Sequence, residues 1–585
     1  PNKNKDAIDH LEKLNAANEN LDGAKERDNK FQVLKCPWCG TQMVKDLEKD
    51  GQRSRTIGAW GYRIIQKNGK HFRMFCPHSA CDFHLELPIQ IVDEELYLHP
   101  PTLLFATVDK FAMLPWEAQI GAFFAAGTAS RAPELIIQDE LHLISGTLGT
   151  IVGLFETAID ALCSQKGIPP KIIASTATIR RAKEQCAALY SRAVVQFPPP
   201  GLNANDSFFA KDAVIDHAHG KYGRKYVGIM PSGKTKAIIE IRLMAALLQR
   251  LFMMDLPDEV KDKLWTLTAY FNSLKELGKA STFANDDVKD FIKRTAYRTF
   301  TRARLMGSPD ELTSRVSTTE LNETLNKLEK TAYSKENIAA KKYASNVLLA
   351  TNMISVGIDV ARLNVMMLLG QPKLTSEYIQ ASSRVGRSYP GVVFVQYDAT
   401  KSRDRSHYEH FPAYHASFYR FVEPTGATPF SRPARARALH SVITAMLRHQ
   451  IGLWSDNTAI QFSRSDYADE IRACEDFITD RVASINALLH DHAAEDTDEL
   501  REEIEYFLRR WEEAVHACKQ DDPPSALYFG QKFMVKSPTD GERRLLKAYG
   551  ARGTDQAFET LTSMRHVDTP VRGNVIIWEG DNTHV

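Results

Sequence analysis

The sequence of 585 residues lacks long hydrophobic runs: no stretch approaches the ~18 consecutive apolar residues that a membrane-spanning helix requires. Its first thirty residues are polar and lack the apolar segment of a secretory signal peptide. Net charge is also nearly absent, because 74 Lys and Arg residues face 73 Asp and Glu residues. Any binding to nucleic acid must therefore come from local clusters of charge. We find no low-complexity tract and no internal repeat of about 20–50 residues. These absences favour a cytoplasmic globular protein with no membrane partner.

Cysteine is scarce, with eight residues, and half of them lie close together in the sequence. This half forms a C-x₂-C pair and a C-x₄-C pair: Cys36, Cys39, Cys76 and Cys81. Two such turns can present four thiolates tetrahedrally to Zn²⁺, and a reducing cytosol disfavours disulfides. We predict a structural zinc site here, with His78 and His84 as fallback ligands. The other cysteines stand in apolar helical patterns and are predicted to be buried: Cys163, Cys186, Cys474 and Cys518.

The composition, 43% apolar and 25% charged, is that of an ordinary globular protein. The length corresponds to three to four domains of ~150 residues. From Thr102 onward, short apolar runs alternate with amphipathic helices, which is typical of parallel sheets covered by helices on both faces. The predicted strands of a first series are 103–107, Leu135–Gln138, Lys171–Ala174 and 194–197, and those of a second series are 226–230, Val347–Ala350, Val365–Leu369 and 392–397.

The same patterns predict the domain organisation. Residues 198–206 are rich in Pro, Gly, Asn and Asp and are the predicted linker between the two α/β series. Ser317 and Glu320 form the capping-box pattern that begins a helix. We predict a connector at 1–30, a β-rich four-cysteine zinc insert at 31–95, a first α/β domain at 96–200, a second at 201–400 with a helical insertion at about 238–342, and a mostly helical region at 401–585.

Two carboxylates leave the carboxyl end of a predicted buried strand. Asp139-Glu140-Leu141-His142 follows the apolar run 135–137 directly, and open α/β sheets bind ligands at this edge. An NTPase needs one acid to hold Mg²⁺ and a second to orient or deprotonate the attacking water. Asp139 and Glu140 fit these roles in that order. Acids are also favourable at a helix N-terminus, so the tetrapeptide alone leaves that alternative open.

Three later segments carry residues that could act with these acids. The strand at Lys171–Ala174 is followed by small hydroxyl residues that can hydrogen-bond to the acidic loop: Ser175, Thr176 and Thr178. The strand at Val347–Ala350 is followed by a loop that contains Gly357 and Asp359. Farther along, two arginines stand three residues apart, and arginine suits bidentate phosphate contact best: Arg384 and Arg387.

These four segments, in this order, resemble motifs II, III, V and VI of superfamily 2 helicases. The resemblance implies an α/β fold in which two RecA-like parallel-sheet domains sandwich ATP. It places Asp139 on Mg²⁺ and Glu140 at the attacking water. The resemblance implies coupling between ATP hydrolysis and nucleic-acid binding for His142, Ser175, Thr176 and Thr178. It implies nucleotide contact for Gly357 and Asp359 and nucleic-acid contact for Thr351. It implies catalysis at the γ-phosphate for Gln380, Arg384 and Arg387, with one of the two arginines as the arginine finger.

A narrower resemblance is carried by the segments 104–113, 378–387 and 422–430, together with the Asp-Glu-Leu-His form of the acidic motif. These are similar to the helicase subunit of DISARM-type phage-defence systems, and DUF1998-associated repair helicases are near relatives. The similarity runs from about residue 100 to 440. It implies phage defence, a protein partner subunit, and a DNA partner that is single-stranded or double-stranded with a single-stranded region.

The phosphate loop that the resemblance requires upstream of Asp139 is not found, because residues 1–138 contain no Gly-Lys-[Ser/Thr]. The pattern does occur at 228–235, between a predicted strand and a helix, where the second α/β domain begins. We predict that this loop holds the nucleic-acid backbone, with a plain turn or a true ATP loop as alternatives. We expect the ATP loop in a segment outside this chain, and the first residue, Pro1, agrees with that. The predicted backbone-binding residues are Ser232, Gly233, Lys234 and Thr235.

Two basic clusters are further candidates for phosphate contact. In the first, Arg294, Arg298 and Arg302 recur every four residues, with Tyr297 and Phe300 among them. Lys293 and Arg304 flank this first cluster, and the second consists of Arg432, Arg435, Arg437 and His440. Either cluster could instead be a helix face paired with local acids.

Together these features predict an ATP-dependent DNA translocase or helicase that uses ATP and Mg²⁺ and contains structural Zn²⁺. A non-catalytic nucleic-acid-binding scaffold is an alternative, because an assured phosphate loop is missing. An RNA helicase is another, because contacts to the backbone do not read the sugar directly.

Overall fold

A computed structural model describes residues 3–19, 31–50, 53–57, 59–66, 68–176, 181–199, 208, 211, 213–231, 233–351, 360–489, 496–534, 536–551 and 556–566. These residues form two compact units. Tyr62–Val195 and Pro424–Val585 make up most of the first unit, and Gln196–Glu423 makes up most of the second. The linker predicted at 198–206 lies largely outside the described residues.

The N-terminal part of the chain contains a helix and two short hairpins. Its elements are α1 (Asn4–Glu19), β1 (Asp46–Asp50), β2 (Arg53–Ile57), β3 (Tyr62–Gln66), β4 (Lys70–Met74) and α2 (Asp93–Leu98). β1 pairs with β2 and β3 pairs with β4, both antiparallel. The Asn4 side chain donates to Glu95 Oε1 at 2.7 Å and accepts the Phe72 N–H at 3.0 Å. These hydrogen bonds fix the start of α1 to β4 and α2.

The first unit contains a pair of parallel strands. The elements after α2 are β5 (Leu135–Gln138), α3 (Gly146–Ser164), β6 (Lys171–Ala174) and α4 (Ala182–Tyr190). β5 pairs with β6 in parallel, so these two predicted strands are confirmed. The runs 103–107 and 194–197 are not strands, and Phe105 and Val195 are 89% and 92% exposed. A strand needs a neighbour for its backbone hydrogen bonds, and within the described residues neither run has one.

The second unit is built on a six-stranded sheet in which every neighbouring pair is parallel, in the order β7-β12-β11-β8-β10-β9. Alternate residues of β8 and β10 enter two separate apolar clusters, so both faces of the sheet are buried. This confirms the prediction of an α/β fold with a covered parallel sheet. The elements are β7 (Lys225–Ile229), α5 (Lys236–Met253), α6 (Asp258–Trp265), β8 (Leu267–Phe271), α7 (Leu274–Asn285), α8 (Asp287–Arg298), β9 (Asp310–Leu312), α9 (Thr318–Lys330), α10 (Lys335–Ala339), β10 (Val347–Ala350), β11 (Val365–Leu369), α11 (Thr375–Ser382), β12 (Val392–Gln396), α12 (Ser402–Glu409) and α13 (Phe411–Ala416).

The stretch at about 238–342, which was predicted to be a helical insertion, contributes two strands to this sheet. β8 lies between β11 and β10, and all five of its residues are buried. The signal in the sequence is a short apolar run between two helical patterns, which is typical of a fully buried strand. The predicted capping box is present, because Ser317 and Glu320 exchange both hydrogen bonds at the start of α9.

The C-terminal region packs within the first unit and is mostly helical. Its elements are α14 (Arg432–Ile451), α15 (Ala468–Leu489), α16 (Thr497–Gln520), β13 (Ala526–Tyr528), β14 (Glu542–Arg544), β15 (Leu546–Ala548) and β16 (Phe558–Thr560). One apolar cluster joins α3, α14, α15 and α16. Gly153 of α3 allows this packing, because a Cβ atom there would lie 2.5 Å from the Pro429 ring. The predicted apolar stripe of α16 is buried: Leu500, Ile504, Phe507, Leu508, Trp511, Val515 and Cys518.

Among the described helices, α3 alone is long and apolar enough to cross a membrane. Its apolar window is 78% buried inside the protein, so its composition is explained by its place in the core. The cytoplasmic location stays a prediction.

The helix α14 makes the stability of the first unit sensitive to acid. Burial lowers the pKa of both His440 and His449 to about 4, so each is neutral in the folded state. In the unfolded chain each protonates near pH ~6.5. The unfolded state therefore binds more protons as the pH falls from about 6.5 to about 4, and the free energy of unfolding should fall over this window, by a few kcal/mol per histidine.

Urea unfolding at pH 7.5 and pH 5.5 checks this expectation. The His440→Gln variant should lose less stability between the two pH values than the parent protein. The control is His516→Gln, because His516 is exposed on α16. The prediction would be contradicted if the free energy of unfolding fell equally between the two pH values in the parent protein and in His440→Gln.

Candidate functional site

The acidic loop of the first unit is held to the end of the neighbouring strand. Ser175 Oγ donates to Asp139 Oδ1 at 2.5 Å, and the Glu140 N–H donates to the same oxygen at 2.9 Å. The Ser175 N–H donates to the Gln138 carbonyl at 2.8 Å, and the Leu141 N–H donates to the Ser175 carbonyl at 2.9 Å. The predicted hydrogen bond from a hydroxyl residue after β6 to the acidic loop after β5 is therefore present.

Glu140 has an unusual backbone conformation, with φ 49° and ψ 48°. A left-handed conformation costs a non-glycine residue about 1–2 kcal/mol, and such residues cluster at functional sites. The Glu140 side chain is 33% exposed, and its Oε2 lies 3.4 Å from Nδ1 of the buried His142. The same His142 nitrogen lies 3.1 Å from Thr176 Oγ1. His142 therefore connects the second acid to the hydroxyl residues after β6.

The alternative role of these acids, favourable charge at a helix N-terminus, is not supported by the local structure. Asp139 and Glu140 precede a single 3₁₀ turn at Leu141–Leu143, and α3 begins only at Gly146. The first turn of α3 contains no acidic residue. Asp139 is exposed, so its carboxylate is accessible to a hydrated cation.

The two arginines follow α11 in the second unit. Glu423 accepts hydrogen bonds from the Thr375 N–H at 2.8 Å and from Thr375 Oγ1 at 3.0 Å, which fixes the first turn of this helix. Arg224 Nε donates to the Val385 carbonyl at 2.8 Å, which fixes the loop after the helix. Within this loop, Arg384 is half-buried and Arg387 is exposed. Both ends of the arginine-bearing segment are thus held by charged side chains.

Sequence reasoning missed the positioning roles of Glu423 and Arg224, although Glu423 lies in the segment 422–430 that carries the narrower resemblance. Their partners lie 48 and 161 residues away along the chain. Of the other predicted residues, Gln380 is half-buried on α11, and Thr351 is buried just after β10. Four predicted residues lie outside the described part of the chain: Thr178, Ser232, Gly357 and Asp359.

The loop with the phosphate-loop pattern joins β7 to α5, as the pattern requires. Gly233 has φ 67°, a conformation that favours glycine, and Thr235 Oγ1 accepts the Ile238 N–H at 3.4 Å to cap α5. Lys234 is exposed. The preceding strand, β7, lies at the edge of the sheet. The loop therefore presents an accessible cation beside the N-terminus of an eighteen-residue helix.

The first basic cluster is only partly a helix face. Arg294 and Arg298 are exposed on α8, but α8 ends at Arg298, so the prediction that Arg302 continues the same face is wrong. The left-handed Phe300, with φ 54°, ends the helix before Arg302 is reached. Arg302 is exposed in the following segment.

Two flanking members of that cluster have structural roles. Lys293 forms an ion pair with Asp290 at 3.2 Å. Arg304 is 3% exposed, and its guanidinium lies 3.6 Å from the Trp265 ring centroid and donates to the carbonyls of Leu248 and Trp265. Burial lowers the pKa of Arg304 to about 9, which leaves it charged at neutral pH. Arg304 therefore holds the segment after α8 and does not reach a ligand.

Two arginines of the second basic cluster pair with acids, which is the alternative to phosphate contact. Arg435 is 2% exposed and donates to the carboxylates of Glu499 and Glu503. Arg432 also pairs with Glu499, at 2.9 Å, and His440 is buried. The Glu499 and Glu503 carboxylates, on α16, neutralise Arg432 and Arg435 of α14, so the buried Arg435 is not expected to contact phosphate.

The four clustered cysteines meet in space. The sulfur atoms of Cys36, Cys39, Cys76 and Cys81 all lie within 4.8 Å of one another. Each pair stands on a tight turn: the Gly40 N–H donates to the Cys36 carbonyl at 2.9 Å, and the Cys81 N–H donates to the His78 carbonyl at 3.0 Å. Neither His78 nor His84 belongs to the group. Four thiolates are the donor set of structural zinc sites, so these residues fit Zn²⁺.

The chain is similar to a known protein family and to a curated relative. The helicase conserved C-terminal domain matches residues 292–389. The DISARM protein DrmA of Bacillus paralicheniformis is 36% identical over 597 aligned residues, which cover 94% of this chain and 49% of that protein. The chain thus spans about half the length of this relative.

Solved helicase structures also match. The DUF1998 helicase MrfA bound to DNA is 15% identical with a TM-score of 0.40, and the match covers 60% of this chain and 40% of that one. The Mycobacterium smegmatis helicase Lhr bound to single-stranded DNA and AMP-PNP is 13% identical with a TM-score of 0.38, covering 60% of this chain and 38% of that one.

Proposed function

Since the chain is a helicase-type protein related to the DISARM protein DrmA, we propose that it is an ATP-dependent DNA translocase or helicase of superfamily 2 that acts in phage defence. The observation that carries this proposal is the acidic loop: Asp139 and Glu140 follow a parallel strand, and Ser175 and His142 connect them to the end of the next strand. A helicase C-terminal domain in the second unit supports it.

The proposed chemistry assigns a role to each acid. Asp139 is exposed and would hold Mg²⁺ through its water shell, and Glu140 would orient the attacking water and accept its proton. When ATP and Mg²⁺ are bound, they supply the phosphoryl group and neutralise its charge. Gln380, Arg384 and Arg387, with Gly357 and Asp359, are proposed to contact the nucleotide.

Coupling to nucleic acid is proposed to run through the end of β6. Because Ser175 and Thr176 contact Asp139 and His142 directly, a change in the acidic loop on hydrolysis would displace these hydroxyl residues. Thr178 follows them and shares the proposed role. Proposed contacts to the nucleic-acid backbone are Ser232, Gly233, Lys234, Thr235, Thr351, Arg294, Arg298 and Arg302.

Replacing Lys234 with Ala is expected to weaken DNA binding by removing one phosphate contact. The slope of log K against log salt should become shallower by about 0.9, while ATP affinity stays unchanged. Fluorescence anisotropy at several salt concentrations measures the first quantity, and titration with a fluorescent ATP analogue measures the second. Lys335→Ala, at an exposed lysine of α10, is the control. A loss of ATP affinity would instead assign the loop to the nucleotide.

ATP hydrolysis by the protein as encoded, with and without nucleic acid, tests the proposed function. Stimulation by DNA that contains single-stranded regions is expected. If RNA stimulates the ATPase activity and added DNA does not reduce this stimulation, an RNA helicase is favoured. The absence of any ATPase activity would favour a non-catalytic scaffold. A protein partner subunit is also proposed, and co-purification of the protein from its host tests that part.

A further inference from the structure

The C-terminal end of α8 presents two aromatic rings to solvent. Phe300 is 98% exposed and Tyr297 is 85% exposed. Neither ring makes a ring contact within the described residues. Rings of this size are normally covered in a folded protein, because burying each one stabilises the fold by about 1.5–3 kcal/mol. Because the two rings are exposed together at one helix end, they form a candidate interaction surface.

Phe300 occupies a position at which helices normally place glycine. It follows the last residues of α8 with φ 54°, and the Thr301 N–H donates back to the Ala296 carbonyl at 2.9 Å. This is the turn that ends a helix with a left-handed residue, and glycine is preferred there because a side chain is strained. Despite this strain, a fully exposed phenylalanine stands on the turn. The ring contributes no buried surface to the folded core, so it is available to a ligand.

The segment that carries the rings is rigidly anchored. Gln249 of α5 is 1% exposed, donates to the Arg302 carbonyl at 2.8 Å and accepts the Arg304 N–H at 3.0 Å. Arg304 is itself buried against Trp265. The aromatic residues therefore stand on a fixed turn, so little conformational entropy is lost when a ligand binds.

The surroundings of the two rings are basic. Arg294 and Arg298 are exposed on α8, Arg302 is exposed two residues after Phe300, and none of these arginines forms an ion pair within the described residues. Exposed aromatic rings beside arginines match the chemistry of single-stranded nucleic acid, since bases stack on rings and phosphates pair with guanidinium groups.

We propose that Tyr297 and Phe300 form a stacking platform for unpaired bases, with Arg298 and Arg302 holding the adjoining phosphates. This inference rests on the proposed function, which requires nucleic-acid binding. It adds a site at which the faces of unpaired bases stack. Stacking does not depend on base identity, so the platform favours single strands over duplexes without sequence preference.

The test uses a fluorescein-labelled single strand of about twenty deoxythymidines and the protein as encoded. Fluorescence anisotropy at fixed salt should show about tenfold or greater loss of affinity in Phe300→Ala and in Tyr297→Ala. Their salt dependence should match that of the parent protein, because no phosphate contact is lost. In Arg302→Ala the slope of log K against log salt should become shallower by about 0.7.

Three further variants separate stacking from folding. Phe300→Trp should retain binding within about threefold, because a larger ring still stacks. Phe300→Gly should bind weakly and yet unfold about 2–4 °C higher, because glycine relieves the left-handed strain. Tyr343→Ala is the matched control, at a ring of the same unit that is 60% exposed, and its affinity should not change.

Unchanged affinity in both Phe300→Ala and Tyr297→Ala would overturn the platform, and so would an equal loss of affinity for a blunt duplex. A change in oligomeric mass without a change in DNA affinity would assign the rings to a protein interface and also overturn it. If the parent protein binds no nucleic acid at all, the proposed function fails together with the platform. Normal parent binding with unaffected ring variants refutes the platform alone.

Discussion

The Glu140→Gln variant is expected to hydrolyse ATP about 10³-fold more slowly than the parent protein while it binds DNA normally. Glutamine has almost the shape of glutamate, so the left-handed turn at Glu140 and the bond from Ser175 to Asp139 should persist. An amide cannot accept a proton from water, so the role proposed for Glu140 predicts that only the chemical step is lost. The role proposed for Asp139 leaves Mg²⁺ bound in this variant, and nucleotide binding should therefore survive.

The measurement is nucleic-acid-stimulated ATPase, paired with anisotropy for DNA binding and with a nucleotide-binding titration. Glu134→Gln is the control, because Glu134 immediately precedes β5 and its side chain forms an exposed ion pair with Arg131. That variant should keep full activity. A Glu140→Gln protein with normal turnover would show that another residue serves as the base, and loss of nucleotide binding would assign Glu140 to the metal.

Loss of zinc should have the largest effect on folding. Four thiolates bind Zn²⁺ with an apparent free energy of about 10–16 kcal/mol in small zinc modules, which is as large as the whole stability of an ordinary domain. Cys76→Ser should therefore abolish the metal and unfold the hairpin β3–β4. The parent protein should contain about one zinc per chain, because the structure assembles one group of four cysteines within its described residues.

Metal analysis by mass spectrometry measures the zinc content, and hydrogen exchange over 62–87 measures the folding of the hairpin. Cys186→Ala is the matched control. Burial raises the pKa of the Cys186 thiol to about 11, so this cysteine is a small apolar residue of the core. The Cys186→Ala protein should contain as much zinc as the parent protein. A parent protein that is isolated without zinc, yet shows a protected hairpin, would contradict the prediction.

The features that could be predicted from the sequence depend on residues close together in the chain. The capping box of Ser317 and Glu320 spans four residues, and the apolar residues of α16 recur every three to four positions. The strands that carry the acids and the hydroxyl residues were found because each is a short apolar run followed at once by polar residues. The pairing of Ser175 with Asp139 followed from the rule that parallel strands end at one edge of a sheet.

The features that could not be predicted depend on distant partners. Arg304 looked like a basic surface residue, but its partners at Leu248 and Trp265 lie 56 and 39 residues away. Arg435 is neutralised by Glu503, 68 residues farther along the chain. Whether an arginine meets phosphate or a buried carboxylate is decided by tertiary packing, which a charge pattern does not contain. The turn at Phe300 was missed because phenylalanine is a rare residue for a left-handed helix end.

The pair β5–β6 has a practical consequence for work with the isolated polypeptide. Parallel sheets are normally covered on both faces, yet Ile137 and Ile173 are 63% and 48% exposed, and the described residues pair no third strand with these two. Edge strands with apolar side chains can pair with strands of another molecule, so such a polypeptide is prone to self-association at high concentration. Detergent-sensitive aggregation during purification would originate at this border, and charged substitutions at these two isoleucines would suppress it.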